Sequence, residues 1–215
     1  MAAGSGSRFG EEKQFKKLKG KSLYIHSLNQ FLKCEEIYEI IIVVPERKLS
    51  LIKKDILKIN TKKQLLVVSG GVTRQKSVKN GVLSSTKKSH MVCIHDGARP
   101  FVTEKLIKQS IKACSNSDGV IAAIPNYDTL KICIEGDVQK TIDRNNVWMV
   151  QTPQVFWRDK LLQAITSSEK SNLEMTDESS MMEYLNFHIS VVRGDVNNFK
   201  ITSSEDWERA ENIDL

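Results

Sequence analysis

Long apolar segments are missing from this 215-residue sequence. Its longest apolar runs, such as Ile40 to Val44, are far too short to cross a bilayer. No basic stretch leading into an apolar one opens the sequence, so it gives no sign of a secretory signal. We therefore expect a cytoplasmic protein with no membrane partner.

Clustered metal-binding residues are also missing. The four cysteines, Cys34, Cys93, Cys114 and Cys133, are scattered, with no C-x-x-C pair and no grouped histidines. This usage favours reduced thiols in the cytosol and argues against a zinc site.

Basic residues outnumber acidic ones and give a formal net charge of +6. The lysines are spread along the chain without alternating aromatic residues, which is typical of a solvated surface. We expect no nucleic-acid partner. RNA binding through the basic surface is an alternative that predicts a strong salt dependence.

Apolar runs of strand length alternate with segments of helical period. The runs typical of buried strands are 39–45, 64–69, 91–96 and 119–125. The segments with apolar residues three and four positions apart are 22–33, 47–59, 74–85 and 103–114. This alternation predicts an α/β fold with a mostly parallel sheet and helices on both faces.

The pattern changes at 128–143, where two alternating strands surround Glu135-Gly136-Asp137 and indicate a β-hairpin. Exposed hairpin edges are often covered by a partner chain, so we expect an arm over about 126–147. A strand at 148–153, a helix from Asp159, a helix at 177–185, a strand at 189–194 and a helix from Glu205 follow. No linker or repeat occurs, and we predict one domain over 1–215.

The opening segment carries glycines at positions 4, 6 and 10. This spacing fits neither the dinucleotide fingerprint nor a P-loop. Backbone amides at such a loop, with Arg8 and Lys13 close behind, suit a polyphosphate. The alternative is a flexible start of tag-like composition.

Two further segments follow predicted strands, at the strand ends where open α/β sheets bind ligands. Gly70-Gly71 is the first, although a tight turn alone would also require glycine. In the second, Asp96 and Arg99 are costly to bury and are expected to face a cleft, as a magnesium ligand and a phosphate ligand. The alternative is that they pair with each other. A structural role is favoured for His95 over that of a base.

Seven ordered motifs span essentially the whole chain: "AAGSGSRFG" with "KQF", "GGVTRQKSV", "HDGARPF", "DTLK", "TIDRNNVW" with "QTPQVF", "TDESS" and "NFKITSSED". In this order they resemble the 2-C-methyl-D-erythritol 4-phosphate cytidylyltransferase family. The resemblance implies a Rossmann-like nucleotidyltransferase fold with a β-arm that forms a homodimer. It also implies Mg²⁺-assisted transfer of CMP from CTP to methylerythritol phosphate, releasing pyrophosphate.

The resemblance also implies roles for individual residues. Arg8 and Lys13 stabilise the transition state, and Asp96 serves both the metal and the substrate. The residues implied to bind CTP are Ala2, Ala3, Gly4, Gly6, Gly70, Gly71, Val72 and Ser77. Those implied to bind methylerythritol phosphate are Asp96, Arg99, Thr129, Thr152 and Lys200, with Arg144 reaching it from the partner subunit.

The sequence departs from the family pattern at several places. Members carry a short apolar strand before the alanine pair, whereas here Met1 directly precedes Ala2. We expect an unpaired slot in the sheet and a less supported loop. Glu12 replaces a usual proline, Gly97 replaces a usual alanine, and Val72 stands where an acidic or small residue is common.

Two other functions compete with this assignment. Ribitol-5-phosphate cytidylyltransferases share the loop, the fold and the chemistry, although "HDGARPF" and "TIDRNNVWMVQTPQ" look closer to the methylerythritol enzymes. A non-catalytic nucleotide-binding relative is disfavoured by the presence of Arg8, Lys13 and Asp96 but favoured by the missing strand.

Overall fold

Ten strands and seven α-helices form the part of the chain that the computed structural model describes, residues 1–4 and 9–213. The strands are β1 (Lys17–Leu18), β2 (Lys21–Ser22), β3 (Glu39–Val44), β4 (Gln64–Ser69), β5 (Met91–Ile94), β6 (Gly119–Pro125), β7 (Leu130–Ile134), β8 (Asp137–Ile142), β9 (Trp148–Trp157) and β10 (Ile189–Arg193). The helices are α1 (Leu23–Lys33), α2 (Leu49–Ile56), α3 (Arg74–Ser84), α4 (Glu104–Cys114), α5 (Arg158–Lys170), α6 (Glu178–Tyr184) and α7 (Ser204–Glu211). Each segment predicted to be a strand or helix forms that element.

The central sheet has the strand order β10-β6-β9-β5, and β3 pairs with β4 beside it. The predicted α/β class is confirmed. In the central sheet β5, β6 and β10 run in one direction, and β3 is parallel to β4, while β9 runs antiparallel to both β5 and β6. The hairpin of β7 and β8 explains the direction of β9. Because the chain returns through this hairpin to the end of β6, Trp148 pairs with Pro125 and β9 runs back along its neighbour.

Met1 and Ala2 connect the two groups of strands. The Ala2 amide donates to the Val43 carbonyl at 2.8 Å, and the Gly97 amide donates to the Met1 carbonyl at 2.7 Å. Beyond these contacts a mostly apolar groove of about 640 Å³ extends between β3 and β5.

The helices cover the sheet with two main apolar clusters. Phe156 of β9 packs with Leu161 of α5 and Met182 of α6. Near β3 and β4, Leu28 of α1 and Ile52 of α2 pack against Val44. Within the described residues, no helix combines the length and apolar character needed to traverse a membrane.

The start of α7 fixes a segment that reaches the functional site. Ser203 and Asp206 form a capping box, and the Asp206 carboxylate accepts the Thr202 hydroxyl at 2.6 Å and the Thr202 amide at 2.7 Å. A capping box satisfies backbone amides that the first helical turn leaves open. The box therefore holds the chain just after Lys200.

We expect Asp206→Ala to lower the free energy of unfolding by about 1–2 kcal/mol at neutral pH, the usual cost of losing a cap. Burial favours the neutral acid, but hydrogen bonds from Thr202 and Ser203 outweigh it and lower the pKa of Asp206. The contribution of Asp206 is therefore present above about pH 4, its unfolded pKa, and lost as the pH falls through the folded value. Urea unfolding at pH 7 and pH 3 should show the difference from wild type shrinking in acid.

The matched control is Glu208→Ala, an exposed acid on the same helix, which should change stability by less than about 0.5 kcal/mol. Equal losses in the two variants would contradict the role of the capping box.

Candidate functional site

A cavity of about 390 Å³ lies at the carboxyl ends of β4 and β5. Ligands in open α/β sheets bind at such positions. Its described lining residues are Met1, Ala2, Ala3, Gly4, Lys13, Gln14, Gly71, Val72, Thr73, Arg74, Ser77, Asp96, Ala98 and Lys200. The structure thus brings together residues from four of the predicted motifs.

The opening segment forms one wall of the cavity. Gln14 holds it in place, since its side-chain amide donates to the carbonyls of Ala2 at 3.0 Å and Gly4 at 2.8 Å. Sequence reasoning missed Gln14, whose only signal was its place inside "KQF". Gly6 and Arg8 lie outside the described residues.

Lys13 is buried in a short 3₁₀ helix, Lys13–Phe15, and reaches the same wall. Its ammonium lies 3.5 Å from the Thr202 carbonyl and 5.4 Å from the centre of the Phe9 ring. A buried ammonium at the edge of a polar cavity is suited to an anionic ligand.

The glycine pair after β4 forms the opposite wall. A Cβ atom on Gly70 would lie 2.6 Å from the Ala3 side chain and 2.8 Å from the Ser77 hydroxyl oxygen. The Gly71 amide donates to that hydroxyl at 2.9 Å. The glycines thus let the two loops approach closely, which the tight-turn alternative does not require. Val72 is 88% exposed at the rim.

Asp96 carries the negative charge among the described side chains of the cavity wall. Lys200 lies 2.8 Å from Oδ2, whereas Arg74 lies 3.8 Å from Oδ1 and Arg99 lies 4.0 Å from Oδ2. Burial favours the neutral acid, but Lys200 and Arg74 outweigh it and hold the pKa of Asp96 well below its usual range. Asp96 pairs with Arg99, as the pairing alternative expected, but Lys200 is the closer of the two cations.

His95 is buried behind Asp96. Its Nε2 lies 3.0 Å from the Arg99 carbonyl, which only accepts hydrogen bonds, so Nε2 carries the proton. Nδ1 then accepts from the Thr152 hydroxyl at 3.0 Å. Burial lowers the pKa of His95 to about 3, which keeps the ring neutral at pH 7. These contacts agree with the structural role favoured from the sequence.

Arg99 and Thr152 lie beneath the cavity and do not form its wall. Arg99 donates to the carbonyls of Asn198 at 2.8 Å and Val150 at 3.3 Å. The Thr152 hydroxyl accepts the Asp96 amide at 3.1 Å. In this chain both side chains support the neighbours of the cavity.

Thr129 and Arg144 lie on the hairpin arm and are exposed. The Arg144 guanidinium donates to the Tyr127 carbonyl, within the arm. Neither residue lines the cavity of its own chain. The structure therefore does not bring these two predicted substrate ligands to the other site residues.

An ion pair that sequence reasoning did not single out borders the cavity. Arg74 forms a bidentate salt bridge with Glu178, whose carboxylate is fully buried. The signal in the sequence was weak, because Arg74 follows the conspicuous glycines and Glu178 lies within "TDESS", 104 positions away.

The fold and the site together are typical of an α/β protein that binds phosphorylated ligands. Three cationic side chains among the described residues, Lys13, Arg74 and Lys200, line a glycine-walled cavity at the strand ends of an α/β sheet. Such a cavity binds phosphorylated ligands, since amides and cations neutralise phosphate oxygens.

Comparison with known proteins is specific. Residues 1–214 match the family model of IspD, 2-C-methyl-D-erythritol 4-phosphate cytidylyltransferase. Enzymes of that name from Clostridioides difficile and Aquifex aeolicus are 36% and 39% identical, over 99% of this chain and 91% and 94% of theirs. The crystal structure of 4-diphosphocytidyl-2C-methyl-D-erythritol synthase from Anaerococcus prevotii has a TM-score of 0.85 at 31% identity, covering 98% of this chain and 93% of that one.

The structure of 2-C-methyl-D-erythritol 4-phosphate cytidylyltransferase from Francisella tularensis also matches, with a TM-score of 0.83 at 30% identity over 97% of this chain and 94% of that one. This chain belongs to the 2-C-methyl-D-erythritol 4-phosphate cytidylyltransferase family. The resemblance seen in the sequence is confirmed, and the chain is an enzyme of the nucleotidyltransferase class.

The contact between the two loops can be tested by Gly70→Ala. The added methyl group overlaps Ala3 and Ser77, so we expect a loss of about 1–3 kcal/mol in the free energy of unfolding, as for other overpacked sites. Gly4→Ala is the control, because a Cβ atom there meets nothing within 4 Å. Denaturant unfolding should separate the two variants, and equal stabilities would show that the loops do not pack as described.

Proposed function

We propose that this chain transfers CMP from CTP to 2-C-methyl-D-erythritol 4-phosphate, in the non-mevalonate route to isoprenoid precursors. The products are 4-diphosphocytidyl-2-C-methyl-D-erythritol and pyrophosphate. The observation that carries the proposal is the glycine-walled cavity lined by Lys13, Lys200 and Asp96, in a chain that matches the family over residues 1–214.

The reaction is an in-line displacement at phosphorus. A phosphate oxygen of methylerythritol phosphate attacks the α-phosphorus of CTP while the bond to the pyrophosphate oxygen breaks. Negative charge grows on the phosphoryl oxygens, so positioning and charge neutralisation account for the rate. In this proposal Lys13, which lines the cavity, neutralises the triphosphate, and Arg8 has the same role from its motif.

The neutral walls of the cavity suit the cytidine. Ala2, Ala3 and Gly71 bring backbone close to the cavity, with Gly70 beneath them. The Ser77 hydroxyl is oriented by the Gly71 amide. Close backbone contact favours a pyrimidine over a larger purine. The remaining CTP contacts proposed here are Gly4, Gly6 and Val72.

The polyol phosphate binds beside Asp96 in this proposal. Lys200 and Asp96 form the charged end of the cavity, and Arg99 and Thr152 lie beneath it. Arg144 and Thr129, both exposed on the arm, would reach the substrate from the arm of a second subunit. A homodimer through the arm is supported by exposed apolar side chains at Ile134, Val138 and Trp148.

Asp96 also fits a magnesium ion. Mg²⁺ in nucleotide sites is usually held by one or two carboxylates together with substrate phosphates. No cluster of three or more potential ligands occurs among the described residues, so Asp96 and the triphosphate would hold the ion. When bound, Mg²⁺ neutralises charge on the triphosphate and the departing pyrophosphate.

Ribitol 5-phosphate is the competing substrate, and the curated relatives do not favour it. We further propose a cytoplasmic location, because the cysteines are scattered and free. We also propose that the protein has no nucleic-acid partner, because its lysines are dispersed along the chain.

Pyrophosphate release with CTP and Mg²⁺ tests the reaction. We expect release with methylerythritol phosphate and none with ribitol 5-phosphate. Lys13→Ala and Arg8→Ala should each lower turnover by about 10²-fold or more, as the loss of an oxyanion donor does. Lys17→Ala, an exposed lysine on β1, is the control and should leave turnover unchanged. Release only with ribitol phosphate would assign the sibling activity, and no release with either would refute the proposal.

Mixing two inactive variants tests the shared site. A Lys13→Ala subunit has a defective cavity and a normal arm. An Arg144→Ala subunit has a normal cavity and a defective arm. A heterodimer of the two contains one intact site, so unfolding and refolding an equal mixture should recover about a quarter of wild-type turnover under random pairing. Turnover no higher than the average of the separate variants would show that Arg144 of the partner subunit does not complete the site.

A further inference from the structure

Glu178 lies at the start of α6, behind the cavity wall, and is fully buried. Its helix begins in a defined place because Asp177 accepts the Ser180 amide at 3.0 Å and the Gln154 side-chain amide of β9 at 2.8 Å. The Glu178 carboxylate is therefore fixed relative to the central sheet.

Arg74 is the partner that Glu178 holds. Its guanidinium donates two hydrogen bonds to the carboxylate, from Nη1 to Oε1 and from Nη2 to Oε2, the second at 2.8 Å. Bidentate pairs of this kind fix the plane of the guanidinium as well as its position. The backbone of Arg74 is fixed as well, because Thr73 caps α3 and accepts the Lys76 amide.

The same guanidinium faces Asp96. Its Nη2 is 3.8 Å from Asp96 Oδ1, beyond hydrogen-bonding distance, although Lys200 contacts Oδ2 at 2.8 Å. Two carboxylates therefore compete for Arg74, and the structure has the arginine paired with Glu178. Oδ1 lies within ion-pair range of the arginine but receives no hydrogen bond from it, at the edge of the cavity.

We propose that Glu178 is a positioning residue that keeps Arg74 from closing onto Asp96, so that Asp96 Oδ1 remains available to a divalent cation. The inference rests on the proposed function for the identity of the nucleotide and for the role of Asp96 as a metal ligand. Without Glu178, Arg74 retains its charge, and Asp96 is the nearest remaining carboxylate shown beside it. Arg74 would then occupy the oxygen that the cation needs.

The probe is Mn²⁺ with CTP, without the second substrate. Isothermal titration calorimetry gives the CTP dissociation constant with and without Mn²⁺, and their ratio measures the coupling between the metal and the nucleotide. Glu178→Gln should reduce that ratio by about 10-fold or more, the usual effect of losing a partner that orients a metal ligand. A crystal structure of this variant should show Arg74 within hydrogen-bonding distance of Asp96.

The double variant Glu178→Gln, Arg74→Gln removes both the carboxylate that holds Arg74 and the guanidinium that competes with the cation for Asp96. Replacing both partners of a buried pair is often tolerated, whereas removing one is strongly destabilising. The proposal expects the coupling ratio to recover to within about 3-fold of wild type, a recovery that restored packing alone does not supply. Glu169→Gln is the matched control, since Glu169 pairs with Lys79 of the same helix α3 away from the cavity.

A Glu178→Gln variant with an undiminished ratio, or with Arg74 still beyond 3.5 Å from Asp96, would overturn the inference. So would a double variant that folds with a wild-type melting temperature and recovers no coupling. If Glu178→Gln alone fails to fold, the double variant decides, since a coupling ratio more than about 3-fold below wild type would overturn the inference. Wild-type pyrophosphate release, measured in parallel, reports separately on the proposed function.

Discussion

The charge balance around Asp96 is the constraint on which the site depends. Lys200, Arg74 and Arg99 approach one carboxylate from three different parts of the chain. Cations taken out of water are costly unless a negative charge compensates them. Burial opposes ionisation of Asp96, yet its neighbours keep the pKa depressed, so the carboxylate stays ionised. Loss of this one charge would leave several cations facing each other across the cavity wall.

Because the charges must be held at fixed distances from Asp96, the residues around it are connected by many hydrogen bonds to backbone groups. Thr152 accepts the Asp96 amide, His95 bridges Thr152 to the Arg99 carbonyl, and Arg99 reaches the Asn198 carbonyl. The neutral His95 ring suits this task because it both donates and accepts without adding a charge. The capping box before α7 does the same for the segment that carries Lys200. These hydrogen bonds to the backbone thus fix the positions of the cationic side chains around Asp96.

Sequence reasoning succeeded where a requirement is local. Glycines at strand ends, the hairpin turn at Glu135-Gly136 and the alternating apolar periods all act within a few residues, and each was found. It failed where a requirement is tertiary. The direction of β9 depends on where the hairpin returns the chain, and the roles of Gln14 and Glu178 depend on which loops meet in space. Polar side chains inside helices carry no pattern that reveals such partners.

The arm adds a constraint of a different kind. Thr129 and Arg144 are exposed and lie outside the cavity of their own chain, although their motifs belong to the same family pattern as those of the cavity. A side chain on an arm that projects from a sheet cannot be held in place by the core of its own chain. Its position must be fixed by whatever packs against the arm, and apolar residues such as Ile134 and Val138 are exposed there. In the proposed homodimer, packing of the second subunit against these residues would fix the arm beside the neighbouring cavity, so the proposed reaction would require the dimer and not only the folded chain.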